Sequence, residues 1–170
     1  MTEKEQRRIF ETWLDEHKTL LFKVVRAYAF AETDRDDLFQ EIAIQVWRSV
    51  PNFRKESAVT TWLYRIALNT AIKWNRDEQK YRDGLQPIHK MNNLLQEKQD
   101  PVDERLEWMY RQIGKLDKVD RSLCLLMLDG FSYVEMSDIL GITESNVGVK
   151  IHRIKKHLVE KSEEYDHHGI

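Results

Sequence analysis

The sequence predicts an all-α fold in two small helical domains joined by a flexible linker. Three observations carry this. Only 6 Gly and 3 Pro occur in 170 residues, too few for the many tight turns of an all-β fold. Long stretches rich in Leu, Ile, Ala, Glu, Lys and Arg repeat their apolar residues at helical spacing. One stretch breaks the pattern: "YRDGLQPIHKMNNLLQEKQDP", Tyr81 to Pro101, holds a Gly, two Pro and many amides and charges without a sustained period. The expected domains are therefore 1–80 and 102–165, with 81–101 as the linker.

The first helical segment carries Ile9, Phe10, Trp13, Leu14, Leu20, Leu21, Val24, Val25 and Tyr28 at amphipathic spacing, with a break expected near Lys18. "TDRDDLFQEIAIQVWRSVP" follows as a helix. Thr33 or Asp34 is the expected cap, Asp36 and Asp37 suit the positive end of the dipole, and Pro51 closes it. "NFRKESAVT" reads as a loop. "TWLYRIALNTAIKWNRDEQK" reads as a long helix capped by Thr60 or Thr61.

The second half opens with a helix from about Pro101 to Ile113. Another runs from Lys118 to Leu128 and ends at Gly130. Ser132 and Glu135 have the spacing of a capping box for a short helix with Val134, Met136, Ile139 and Leu140. That helix stops at Gly141, and Thr143 caps the last one. Short helix, Gly turn and second capped helix together predict a helix-turn-helix.

Composition narrows the function classes. The net charge is −2, so any nucleic-acid binding must come from local basic patches or need a partner. The one cysteine, Cys124 in "SLCLLML", reads as a small buried hydrophobe and fits a reducing cytoplasm. The start, "MTEKEQRRIF", shows no apolar signal core, and no apolar run is long enough for a bilayer. The histidines are His17, His89, His152, His157, His167 and His168. None has ligand spacing with a second His or carboxylate on one helix face. With no phosphate-binding Gly loop and no nucleophile motif, neither an enzyme, a metal site nor a cofactor is expected.

Two helices carry the information. In the last, Val147, Ile151, Ile154 and Leu158 fall on one narrow stripe that must face a core. The opposite face holds Ser145, Val149, His152 and Lys156, with Asn146, Lys150 and Arg153 alongside, and no acid occurs from Asn146 to Leu158. Ser and Asn suit base edges, and the cations suit phosphates. In the Trp62 helix the polar exceptions Arg65, Asn69, Lys73 and Arg76 share one stripe, a candidate phosphate track. Trp62 borders it, and Phe53 and Arg54 precede it. Aromatics beside cations are what unstacked bases need. A core role for Trp62, Trp47 and Trp74 is the competing reading. The Asp37–Arg48 helix is apolar over more than half its surface, so it is central or a partner covers part of it.

Taken in order, these parts resemble a bacterial sigma factor of the extracytoplasmic-function group. "DRDDLFQEIAIQVWR" is similar to that family's second conserved region. "NFRKESAVTTWLYRIALNTAIKWNR" is similar to its continuation, and "LDKVDRSLCLLMLDGFSYVEMSDILGITESNVGVKIHRIKKHL" to its fourth region. The resemblance implies that 1–80 is region-2-like and 102–165 region-4-like. It implies that Asp37, Gln40 and Glu41 dock on the β′ clamp helices of core RNA polymerase. It implies that the 53–61 loop and the next helix capture a melted −10 element, and that the last helix reads a −35 element while its domain meets the β flap. The linker would thread toward the RNA exit path. An anti-sigma factor is a further partner that the family often has. Gly148 stands where many members have Lys, and "LDKVDR" replaces a Leu-Pro start. The competing function is a stand-alone helix-turn-helix regulator that binds duplex DNA without polymerase.

Overall fold

The computed structural model describes residues 1–82 and 103–168; for 75–82 and 168 it describes the backbone alone. The chain divides into two compact units, Met1–Glu104 and Arg105–Ile170. Among the described residues all regular structure is helical. The expected linker lies outside the described residues, except that Tyr81 and Arg82 extend the preceding helix.

The first unit holds α1 (Glu3–Glu16), α2 (Lys18–Tyr28), α3 (Glu32–Ser49), a 3₁₀ turn at Val50–Asn52 and α4 (Val59–Arg82). Thr2 and Glu5 form a capping box that starts α1. The chain breaks at His17, one residue before the expected place, and α2 then buries Leu20, Leu21, Val24, Val25, Ala27 and Tyr28. This helix packs against both α3 and α4. Their shared core is apolar: Leu21, Val24, Leu38, Ile42, Val46, Leu63, Ala67, Leu68 and Ala71 are all fully buried. So the 63–71 stretch of α4 lies in the core, while Asn69 and Lys73 are exposed.

Two caps differ from expectation. α3 starts at Glu32, not after Thr33 or Asp34. Its N-cap is Ala31, which makes no side-chain cap bond, and the Arg35 N–H already donates to the Ala31 carbonyl. α4 starts at Val59, so Thr60 and Thr61 lie inside its first turn, and Trp62 N–H closes that turn on Ala58. In both, the tertiary packing of the helix outweighs the cap signal, which is worth only about 1 kcal/mol.

The second unit holds α5 (Glu104–Lys115), α6 (Lys118–Leu128), α7 (Tyr133–Leu140) and α8 (Glu144–His168). Asp117 caps α6, accepting from Asp120 N–H at 2.8 Å. That is why this helix starts without the Leu-Pro pair. The buried Arg121 donates from Nη2 to the carbonyls of Gly114 and Leu116, 3.0 Å each, and so satisfies the end of α5. Gly130, at φ 80°, ends α6: its N–H donates to Met127 O and Phe131 N–H to Leu126 O, the Schellman pattern. Ser132 and Glu135 form the expected capping box. Gly141 turns the chain at φ 69°, and Thr143 caps α8 through Asn146 N–H at 3.1 Å.

Cys124 is fully buried on α6. Burial pushes its thiol up to about 11, so it stays protonated near neutral pH and serves as a small hydrophobe.

Candidate functional site

Three surfaces follow from how these helices pack. On α8, Val147, Ile151 and Ile154 are 0–2% exposed and seat the helix against α6 and α7. Leu158, expected on the same stripe, is only half-buried. The opposite face is open: Ser145, Asn146, Val149, His152, Arg153 and Lys156 are all exposed. Val149 is 52% exposed, an apolar side chain standing among cations. Lys150 differs from them. It is half-buried on the flank toward α6, with Nζ 3.4 Å from Asp120 Oδ1.

Gly148 occupies the other flank. A Cβ built there sits 3.6 Å from Cε2 of Tyr133 on α7, an ordinary contact. The glycine therefore faces the preceding helix, and alanine fits beside the ring. Gly148→Ala is expected to raise stability by about 1 kcal/mol through helix propensity, read as a higher thermal midpoint. An unchanged or lower midpoint counts against this packing account.

On α4, Asn69 and Lys73 are exposed, while Trp62 and Arg65 are half-buried. The Arg76 side chain lies outside the described residues. Phe53 is half-buried in the preceding loop and Arg54 is exposed. The Phe53 ring sits 5.5 Å from that of Trp62 and 5.2 Å, edge-on, from that of the buried Trp13. Trp62 Nε1 donates to Ser49 Oγ at 3.3 Å. These contacts pin the 50–58 loop to α1 and to the start of α4. Trp62 thus serves the core and borders the polar stripe at once. Trp47 lies edge-on to Phe10 and its carbonyl accepts from Gln6, so it is a packing residue.

On α3, Asp37 and Glu41 are half-buried and Gln40 is exposed. Glu41 accepts from Gln45 Nε2 at 3.3 Å. The sequence reading missed Ile44. It is 44% exposed and shares the helix face of Asp37, Gln40 and Glu41 by i, i+3, i+4, i+7 spacing. That spacing is legible in the sequence, but so many apolar residues crowd this helix that the pattern does not single Ile44 out. Just behind the patch, burial and the nearby Glu32 and Asp37 raise the carboxyl of Asp36 above its ordinary range.

Among the described residues no group of three His, Cys, Asp or Glu could hold a metal ion. No described helix is long and apolar enough to cross a membrane.

Comparison with known proteins accounts for the two-unit order. The family model for sigma-70 region 2 matches residues 10–81, and that for sigma-70 region 4 matches 106–158. The RNA polymerase sigma factor YlaC of Bacillus subtilis is 31% identical over 139 residues, covering 75% of this chain and 79% of that protein. The ECF RNA polymerase sigma-E factor of Escherichia coli K12 is 29% identical over 140 residues, covering 75% and 73%. Among solved structures, CnrH in complex with the cytosolic domain of CnrY has the same fold, with a TM-score of 0.66 at 23% identity, covering 92% of this chain and 89% of that one. The sigma factor RpoE of Bartonella quintana, in complex with the anti-sigma factor NepR, also gives 0.66, at 19% identity, covering 90% and 96%. With both conserved regions matched in order, the chain belongs to the sigma-70 family of RNA polymerase sigma factors, in its extracytoplasmic-function group, and directs the polymerase to promoters.

Proposed function

We propose that the three surfaces divide the work of promoter selection. The α8 face reads a −35 element in the major groove. Ser145, Asn146 and Val149 lie at the base edges, with His152 beside them, and Arg153 and Lys156 reach the phosphates. Val149 meets a thymine methyl, the apolar feature of that groove. Lys150 borders this face. The stripe of Arg65, Asn69, Lys73 and Arg76, with Trp62, Phe53 and Arg54, captures the melted −10 strand. Asp37, Gln40 and Glu41, with Ile44 among them, dock on the β′ clamp helices of core polymerase, and the second unit meets the β flap. The boundaries proposed for this division of labour are 1–80, 81–101 and 102–165.

One observation carries the reading: α8 exposes an acid-free face of Ser, Asn, Val, His, Arg and Lys in the second unit of a sigma-family chain. The protein catalyses nothing itself and acts in the cytoplasm beside the polymerase. An anti-sigma factor is a proposed partner, supported by the solved structure of RpoE in complex with the anti-sigma factor NepR.

Lys156→Ala tests the α8 assignment. It should weaken duplex binding for all sequences alike and flatten the plot of log affinity against log salt by about 0.9. An unchanged slope removes Lys156 from the phosphate contacts.

A further inference from the structure

Lys150 stands apart from the other cations of α8. Its Nζ lies 3.4 Å from Asp120 Oδ1 on α6, and the two side chains are 26% and 25% exposed. Asp120 is well placed to hold it. Its own N–H is tied to the Asp117 cap, and its carboxylate sits in the first turn of α6, where the helix dipole favours a negative charge. Lys150 occupies the flank of α8 between the buried stripe and the open face. It is therefore close to the proposed DNA contact yet engaged with the domain.

We infer that Asp120 is a positioning residue that withholds Lys150 from the DNA backbone and so sets how tightly the chain binds duplex DNA alone. The inference rests on the reading of α8 as the DNA-facing helix. A phosphate brought up to Lys150 also approaches the Asp120 carboxylate. Attraction to one charge is offset by repulsion from the other, and both are only partly screened by solvent. As a neutral unit the pair displaces no counterion from DNA. A chain that selects promoters as a polymerase subunit gains from this, because weak duplex binding alone limits capture at non-promoter sites.

The test uses the full chain and a short mixed-sequence duplex, since the phosphate contribution is independent of sequence. Dissociation constants are measured across a salt series for the wild type, Asp120→Asn, Lys150→Met and the double variant. Asp120→Asn should bind more tightly and steepen the salt slope by about 0.9, so a fourfold rise in salt costs it roughly three- to fourfold more affinity than it costs the wild type. In the Lys150→Met background the same substitution should change neither quantity. Asp120→Glu, which keeps the charge, should retain the wild-type slope. Asp120→Ser serves as the neutral variant if thermal melts show that Asn disturbs the fold. Weaker binding or an unchanged slope on neutralising Asp120 overturns the inference. So does a gain that persists without Lys150, since that is a general charge effect and not this pair. Lys156→Ala is run beside them. If it leaves the slope unchanged, the reading of α8 has failed; if it flattens the slope and Asp120 does not respond as stated, only this inference falls.

Discussion

Reversing two charges on α3, Asp37→Lys with Glu41→Lys, is expected to lower affinity for core RNA polymerase by about 100-fold, since placing like charges across an interface costs several kcal/mol. Both side chains reach the surface, and the one hydrogen bond lost is the Gln45–Glu41 contact, which closes within a helix turn. The second unit is untouched, so duplex binding through α8 should not change. Fluorescence anisotropy of labelled protein with core enzyme measures the first quantity, and duplex titration the second. A parallel fall in both indicates misfolding, and the thermal midpoint would then drop as well. Normal core affinity removes this face from the docking surface.

The second large effect is expected on promoter opening. Asn69→Ala with Lys73→Ala should reduce the stability of open complexes by roughly 10- to 100-fold, the loss of a charge-assisted contact and a neutral one to the melted strand. Core affinity should stay as in the wild type. These two positions are the clean ones among the described residues of the stripe, since both side chains are exposed. Arg65 is half-buried and Trp62 is held by Phe53 and Ser49. Substituting either would mix packing with function. Permanganate footprinting on a cognate promoter reads the opening directly. Unimpaired opening contradicts the assignment of this stripe to the −10 strand.

The sequence carries most of the helical pattern because burial here is periodic. The stripe Val147, Ile151, Ile154 repeats at helical spacing and is buried as expected. The Ser132–Glu135 box and the Thr143 cap are local, needing only neighbouring residues, and both form. Where the fold departs from the sequence reading, a distant contact decides. The starts of α3 and α4 follow from packing of whole helices, which outweighs a single cap. The pairing of Lys150 with Asp120 spans 30 positions, and no periodicity reveals it. Ile44 shows the reverse limit. Its face follows from helical spacing, but whether an apolar residue on a crowded helix is covered depends on which neighbours reach it. The sequence is compatible with either a core or a surface role for Trp62, and the structure gives it a share of both.

The central claim, that this chain works as a promoter-selecting subunit of the polymerase, is tested most directly by one measurement: binding of the wild-type chain to purified core RNA polymerase at low salt, with free duplex affinity measured beside it. The account predicts tight, saturable core binding, weak duplex binding by the free chain, and specific transcripts from a cognate promoter once the two proteins are combined. No core binding, together with tight and sequence-specific duplex binding by the chain alone, would contradict it and point to a stand-alone helix-turn-helix regulator.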